Sequence, residues 1–209
     1  VRLQRESTRA FHVAECAVRV DRDARYISHS IALGARWSRL DLNVTQAGSG
    51  AAIESSGLAL INDRQLADTH SCFDHAGPDG VSRQLHKAVV AGQAHAVFNG
   101  RILVREGAQR TDSAQQSRTL LLSRRAHVDT KPQLEIFADD VKCAHGATVG
   151  QLEADELFYL RSRGLGETAA RNLLTYAFAA EVVDGLGVPS LVARLRQLVL
   201  ERTETKEAS

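Results

Sequence analysis

The feature that most narrows the fold is a change of hydrophobic period near Gly150. From Phe11 to about Thr148 the chain runs in short, often alternating stretches rich in β-branched residues. These are FHVAECAVRV (11–20), RYISHSIAL (25–33), RLDLNV (39–44), AVFNGRILV (96–104) and QLEIFA (133–138), each bounded by Gly, Asn, Asp or a charge pair. Alternation places successive side chains on opposite faces, so these stretches read as strands. No segment of this half carries a long apolar i, i+3, i+4 pattern, which disfavours strand–helix–strand units and predicts an all-β body over residues 1–150. A sandwich, a barrel and a parallel solenoid all remain open on this pattern. Aromatic residues are only 5% of the chain, and Ala, Val and Leu supply much of the expected core. Such side chains suit a narrow solenoid interior, although no clean repeat period is legible.

Beyond Gly150 the period becomes helical, and residues 151–209 are expected to form a helical domain with a polar tail. EADELFYLRSRG (153–164) has Glu153, Asp155 and Glu156 in its first turn, Arg161 and Arg163 in its last, and Gly164 beyond. That arrangement complements the helix dipole at both ends and supplies a stop. ETAARNLLTYAFAAEVVDGLG (167–187) shows a stripe of Ala169, Leu173, Tyr176, Ala177 and Ala180, with Leu174 and Phe178 beside it, so more than half its circumference is apolar. PSLVARLRQLVLER (189–202) opens with Pro189 in the first turn and repeats Leu191, Leu195, Leu198 and Val199 on one face. TETKEAS (203–209) reads as a frayed end.

Composition excludes several partner classes. The 209 residues are 44% apolar and 24% charged, and 26 basic against 25 acidic residues give a formal charge of +1. No overall basic field exists to attract nucleic acid or an anionic membrane, and neither partner is expected. No run approaches the roughly 20 apolar residues that cross a bilayer, and no charged-then-apolar signal opens the chain. Cys16, Cys72 and Cys143 are odd in number and widely spaced, which fits a reducing, intracellular compartment. Methionine is absent and the chain opens Val-Arg-Leu-Gln, which reads as a piece of a longer protein.

All eight histidines, His12, His29, His70, His75, His86, His95, His127 and His145, lie in the β half. Two spacings place a Cys and a His on one strand face: His70 with Cys72, and Cys143 with His145. Together they would make a four-ligand metal site only if the two pairs met in space. Hydrogen bonds to neighbours account more simply for most of the histidines. Ser71, Asp74 and His75 resemble the parts of a triad, but no strained turn surrounds the serine, and Gly77-Pro78-Asp79-Gly80 reads as a turn. Neither a phosphate-binding GxxxxGK[ST] loop nor a GxGxxG fingerprint after a strand is present, so ATP and NAD are not expected ligands. In DDVKCAHGATVG (139–150) Cys143 and His145 share a face while Lys142 points to the other. A nearby imidazole or ammonium favours the thiolate, whereas a lone strand cysteine is ordinarily a small core residue.

The run RRAHVDTKPQLEIFADDVKCAHGATVGQLEADELFYLRSRG (124–164) strongly resembles the SufB/SufD family of iron-sulfur cluster assembly proteins, and within it the SufD branch. DTH (68–70), SRQLHKAVV (82–90), AVFNGRI (96–102) and YAFAAEVVD (176–184) agree with it in the same order. The first sixty residues match only in style. The resemblance implies a mainly β fold, a right-handed parallel β-helix followed by a C-terminal helical domain, with the family's N-terminal segment missing. It implies a non-catalytic scaffold subunit that pairs with SufB and binds the ATPase SufC in the cytoplasm or a plastid stroma. It also implies that Cys143 and His145 lie at the SufB interface. Iron or a nascent iron-sulfur cluster would be held there transiently and shared with the partner, and not stably by this chain alone. Leu134, Ile136 and Val141 are the residues expected to meet SufB, and Leu173, Tyr176 and Phe178 those expected to meet SufC. Homodimerisation of the isolated chain stays open. The competing reading is a β-helix enzyme acting on a polymer or a metal-bound small substrate. Such an enzyme needs carboxylates clustered on one face, and Asp139-Asp140 is the only adjacent acidic pair in the β half.

Overall fold

Strands that alternate in sequence here alternate again in space, odd with odd and even with even. The computed structural model describes residues 1–203. Its strands are β1 (Arg2–Gln4), β2 (Phe11–Val20), β3 (Arg25–Ala32), β4 (Trp37–Gln46), β5 (Ala52–Ile61), β6 (Leu66–His75), β7 (Val81–Val90), β8 (His95–Val104), β9 (Asp112–Leu121), β10 (His127–Ile136) and β11 (Lys142–Gly150). One sheet has the order β1-β3-β5-β7-β9-β11 and the other β10-β8-β6-β4-β2. Every pairing is parallel, so consecutive strands lie in opposite sheets and the chain winds as a β-helix of about five turns. Register partners lie 26 residues apart at Phe11–Trp37 and 32 apart at His95–His127. That drift in rung length is why no repeat period is legible in the sequence. The tight corners put Asp23, Asp63, Asp79 and Arg110 at positive φ, a conformation Asp tolerates better than most side chains.

The missed strands have a common cause. The sequence pattern marked five segments, whereas β5, β6, β7 and β9 carry polar residues on the face that points into the coil. Ser71, His75, Ser82, Gln84, His86, Ser113, Gln115 and Ser117 are all buried there. Around them Phe73, Phe98, Ile102, Val104 and Ile53 fill the interior, leaving a small cavity of about 30 Å³ beside Ser71, Gln84 and His86. On the outer faces, parallel stacking sets opposite charges on successive rungs: Arg25–Glu54 at 2.6 Å, Arg39–Asp68 at 2.7 Å, Arg83–Asp112 at 2.8 Å and Arg105–Asp74 at 2.6 Å.

The helices are α1 (Ala154–Ser162), α2 (Glu167–Asp184) and α3 (Pro189–Thr203). α2 and α3 lie on the outer face of the odd-numbered sheet, where Val182, Val183, Leu195 and Val199 pack against Ile31, Leu58, Leu60, Val89 and Leu120. Removing that apolar area from water is the main force that docks them. The face of α3 carrying Leu195, Leu198 and Val199 is buried as its spacing requires. In α2 the expected stripe is met in part: Ala180 is buried and Tyr176 packs against the core, whereas Ala169, Leu173 and Ala177 face solvent and Ala170, Thr175, Ala179, Val182 and Val183 complete the buried face. A helix apolar over half its circumference leaves its buried face to be chosen by the surface it meets. Lys87 adds a polar anchor to that face. Its side chain is 3% exposed, and its ammonium pairs with Glu181, donates to the Phe178 carbonyl at 2.8 Å and stands 4.3 Å from the centre of the Phe178 ring. The polar tail predicted for 203–209 lies, apart from Thr203, outside the described residues.

Candidate functional site

Strands β10 and β11 make the last rung, and each is the outer strand of its sheet. One side of their backbone therefore has no strand partner among the described residues, and the interior row they carry looks out of the open end of the coil. Cys143 stacks on Ser113, His145 on Gln115 and Val149 on Thr119, all of which belong to the inward row of β9. Leu134 and Val141, with Cys143, pack against Ile102, Val104, Ala108 and Ala138. Ile136 at 39%, Phe137 at 65% and Val149 at 47% exposure give this end an apolar rim.

Cys143 and His145 thus share a face, as the spacing predicts, and the face is the mouth of the coil. Burial pushes the Cys143 thiol above its ordinary value, a backbone hydrogen bond at Ser113 works against this, and the Asp112 carboxylate adds to it. The resting thiol is protonated, and a metal cation would take it as thiolate by displacing that proton. Two buried polar columns run under the pair. In the first, His75 Nδ1 meets Gln46 Oε1 at 3.1 Å, His75 Nε2 meets Ser82 Oγ at 2.9 Å, and Ser82 Oγ meets Ser113 Oγ at 2.6 Å, directly below Cys143. In the second, Gln84 Nε2 donates to Ser71 Oγ at 2.9 Å and Gln115 Nε2 donates to Gln84 Oε1 at 2.7 Å, directly below His145.

The four-ligand metal site does not form. His70 and Cys72 sit on the outward face of β6, His70 Nε2 lying 3.0 Å from Asp68 and Cys72 against Arg101, whereas Cys143 and His145 lie on the other sheet and face the coil interior. Among the described residues no group of three or more His, Cys, Asp or Glu is placed to hold a metal ion. A soft thiolate and an imidazole suit iron or a cluster, and two donors leave further ligands to come from elsewhere. Ser71 is bonded to Gln84, His75 to Gln46 and Ser82, and Asp74 to Arg105 on the opposite face, so the three do not meet as a triad. Most other histidines bond neighbours: His12 to Glu6 at 2.8 Å, His29 to Ser56, and His95 to Asp129 at 2.7 Å. His86 instead stacks on Phe98 with ring centres 4.5 Å apart.

On the helices, Leu173 is 46% exposed, while Tyr176 and Phe178 are partly buried against the core. The sequence reading missed Phe158 and Tyr159 of α1, which are 74% and 57% exposed on a helix with no buried residue. Four apolar residues in succession, LFYL, wrap around a helix, so some must face out. That run was the available signal.

Comparison with known proteins agrees with this architecture. Residues 1–178 match the model of the SUF system FeS cluster assembly, SufBD core domain. An iron-sulfur cluster assembly SufBD family protein of Synechocystis is 47% identical over 203 residues, covering 97% of this chain and 45% of that protein. The iron-sulfur cluster assembly protein SufD of Escherichia coli is 40% identical over 186 residues, 89% of this chain and 44% of its own. A chloroplastic Arabidopsis thaliana protein is 40% identical over 185 residues, 87% of this chain and 38% of that protein. The chain therefore spans less than half the length of these relatives. Among the described residues no helix is long and apolar enough to cross a membrane. A parallel β-helix with C-terminal helices, matched over most of its length by that domain model and by SufD, places this chain in the SufBD family of iron-sulfur cluster assembly proteins.

Proposed function

We propose that the chain is a SufD-type scaffold subunit, not an enzyme, working in the cytoplasm or a plastid stroma. Its last rung pairs with SufB, and its helices dock the ATPase SufC. The observation that carries this reading is the pair Cys143 and His145, set at an open, apolar-rimmed strand edge with no third donor among the described residues. An unpaired edge extends naturally by adding strands of a partner, and Ile136, Phe137 and Val149 supply apolar area for the contact. Iron or a nascent cluster is then cargo held between the two subunits, with thiolate and imidazole from this side and the remaining ligands from the other. Exposed Phe158, Tyr159 and Leu173 form the corresponding apolar surface on the helices.

Surface variants separate the two contacts in pull-down assays. Ile136→Asp with Phe137→Asp is expected to lose SufB and keep SufC. Phe158→Ser with Tyr159→Ser is expected to do the reverse. Deleting residues 151–209 is a poorer test, because it strips the cover from Ile31, Leu58, Leu60, Val89 and Leu120. Retention of both partners by both double variants would overturn the assignment of these surfaces.

A further inference from the structure

Gln115 is 1% exposed, and its Oε1 has no hydrogen-bond partner among the described residues. A buried carbonyl oxygen without a donor calls for an explanation, because nearly all such groups in folded proteins are paired. Its amide nitrogen is committed to Gln84 Oε1 at 2.7 Å, so the side chain cannot flip without breaking that bond. Neither neighbouring hydroxyl on its own strand lies within hydrogen-bond reach of the oxygen: Ser113 bonds Ser82 at 2.6 Å, and Ser117 accepts from Thr130 at 3.1 Å. Across the coil stands Gly100, whose missing side chain makes room for the amide: a Cβ there would lie 2.5 Å from Gln115 Nε2. Above Gly100 in the next rung is Pro132, which has no backbone N–H to offer. On the side of Gln115 opposite Gln84, the next strand carries a side chain with a donor. It is His145, the register partner of Gln115 on β11, one strand spacing of about 4.8 Å away.

We propose that Gln115 is a positioning residue for His145. Its Oε1 accepts one ring N–H of the imidazole, which selects a single tautomer and turns the bare nitrogen outward through the mouth. In the column Ser71–Gln84–Gln115 each Gln amide nitrogen donates to the residue below, Gln84 Oε1 also lies 3.2 Å from the Ser71 hydroxyl, and the bond from His145 gives Gln115 Oε1 the donor it lacks. An outer partner of this kind sets which nitrogen of a histidine is free to ligate and how basic it is. The inference rests on the reading of His145 as a ligand but is tested apart from it.

Ring-¹⁵N-histidine NMR on the metal-free chain reads the tautomer, with the His145 signals identified by their loss in His145→Ala. The wild type is expected to show one protonated and one bare ring nitrogen. Gln115→Leu should collapse the two towards averaged shifts, and Gln115→Glu, which keeps an acceptor at the same place, should restore them. Gln115→Met supplies a second acceptor-free variant should the leucine variant not fold. In the SufB complex, cobalt(II) titration should show affinity reduced by about tenfold to a hundredfold in the acceptor-free variants and recovered in Gln115→Glu. His145 shifts in Gln115→Leu or Gln115→Met identical to wild type would overturn the proposal. A tautomer that follows Gln115, combined with cobalt binding indifferent to His145→Ala, would instead leave the positioning intact and refute the ligand role.

Discussion

The two most deeply buried histidines should make this protein unusually sensitive to mild acid. His75 has 0% exposure and His86 6%, and burial holds both near a pKa of about 4, the charge of Asp74 opposing it only in part at His75. In the unfolded chain each ring titrates near 6.5. Between these values the unfolded state binds more protons than the folded one, so stability rises with pH. The contribution is complete above about pH 6.5 and is lost as pH falls towards 4. At about 1.4 kcal/mol per pH unit and per ring, the two together lose about 5 kcal/mol between pH 7 and pH 4.5. That is a large share of the roughly 5–15 kcal/mol of a typical domain. His29, also lowered chiefly by burial, acts in the same direction. The carboxylates Asp41 and Asp112 are lowered chiefly by hydrogen bonds from Arg39 and Arg83, and their contributions fade only below their ordinary range near 3.8. Urea unfolding followed by circular dichroism at pH 7 and pH 4.5 measures the difference, and His86→Leu should remove about half of the pH slope. Equal stability of the wild type at the two pH values would refute the reasoning.

Other outcomes follow from single contacts. Gly100→Ala sets a Cβ 2.5 Å from Gln115 Nε2 and 2.7 Å from Phe98 Cζ. Thermal unfolding should show a loss of about 1–3 kcal/mol, whereas Gly146→Ala, with nothing within 4 Å of its new methyl group, should leave the midpoint unchanged. Glu181→Ala leaves the buried Lys87 ammonium with only a carbonyl and a ring. It should cost about 3 kcal/mol in urea unfolding, and Lys87→Met in the same chain should recover most of that.

The sequence was most informative where burial is one-sided. β8 alternates cleanly because its inward residues are all apolar, β4 does so over Leu40, Leu42 and Val44, and α3 shows its buried face because its other face is charged. β6, β7 and β9 escaped notice for the opposite reason. Ser71, His75, Gln84, His86 and Gln115 point inward, and a polar residue in the buried phase cancels the alternation that marks a strand. A drifting rung length hid the repeat that would have compensated. At the site, the spacing of Cys143 and His145 sufficed to put them on one face, but the columns beneath them depend on register between residues about thirty positions apart, which no local pattern records. In α2 the stripe read from the sequence is buried only at Ala180 and in part at Tyr176, since Ala and Leu surround the helix and the sheet it meets chooses the buried side.

Iron content and the visible absorption spectrum of the complex reconstituted from this chain and SufB test the central claim most directly. With the wild type, a cluster should form on the assembled pair and neither subunit alone should hold one. Cys143→Ser or His145→Ala should sharply reduce it while the two chains still co-elute. Wild-type cluster content in both variants would contradict the account and leave the pair a structural feature of the last rung.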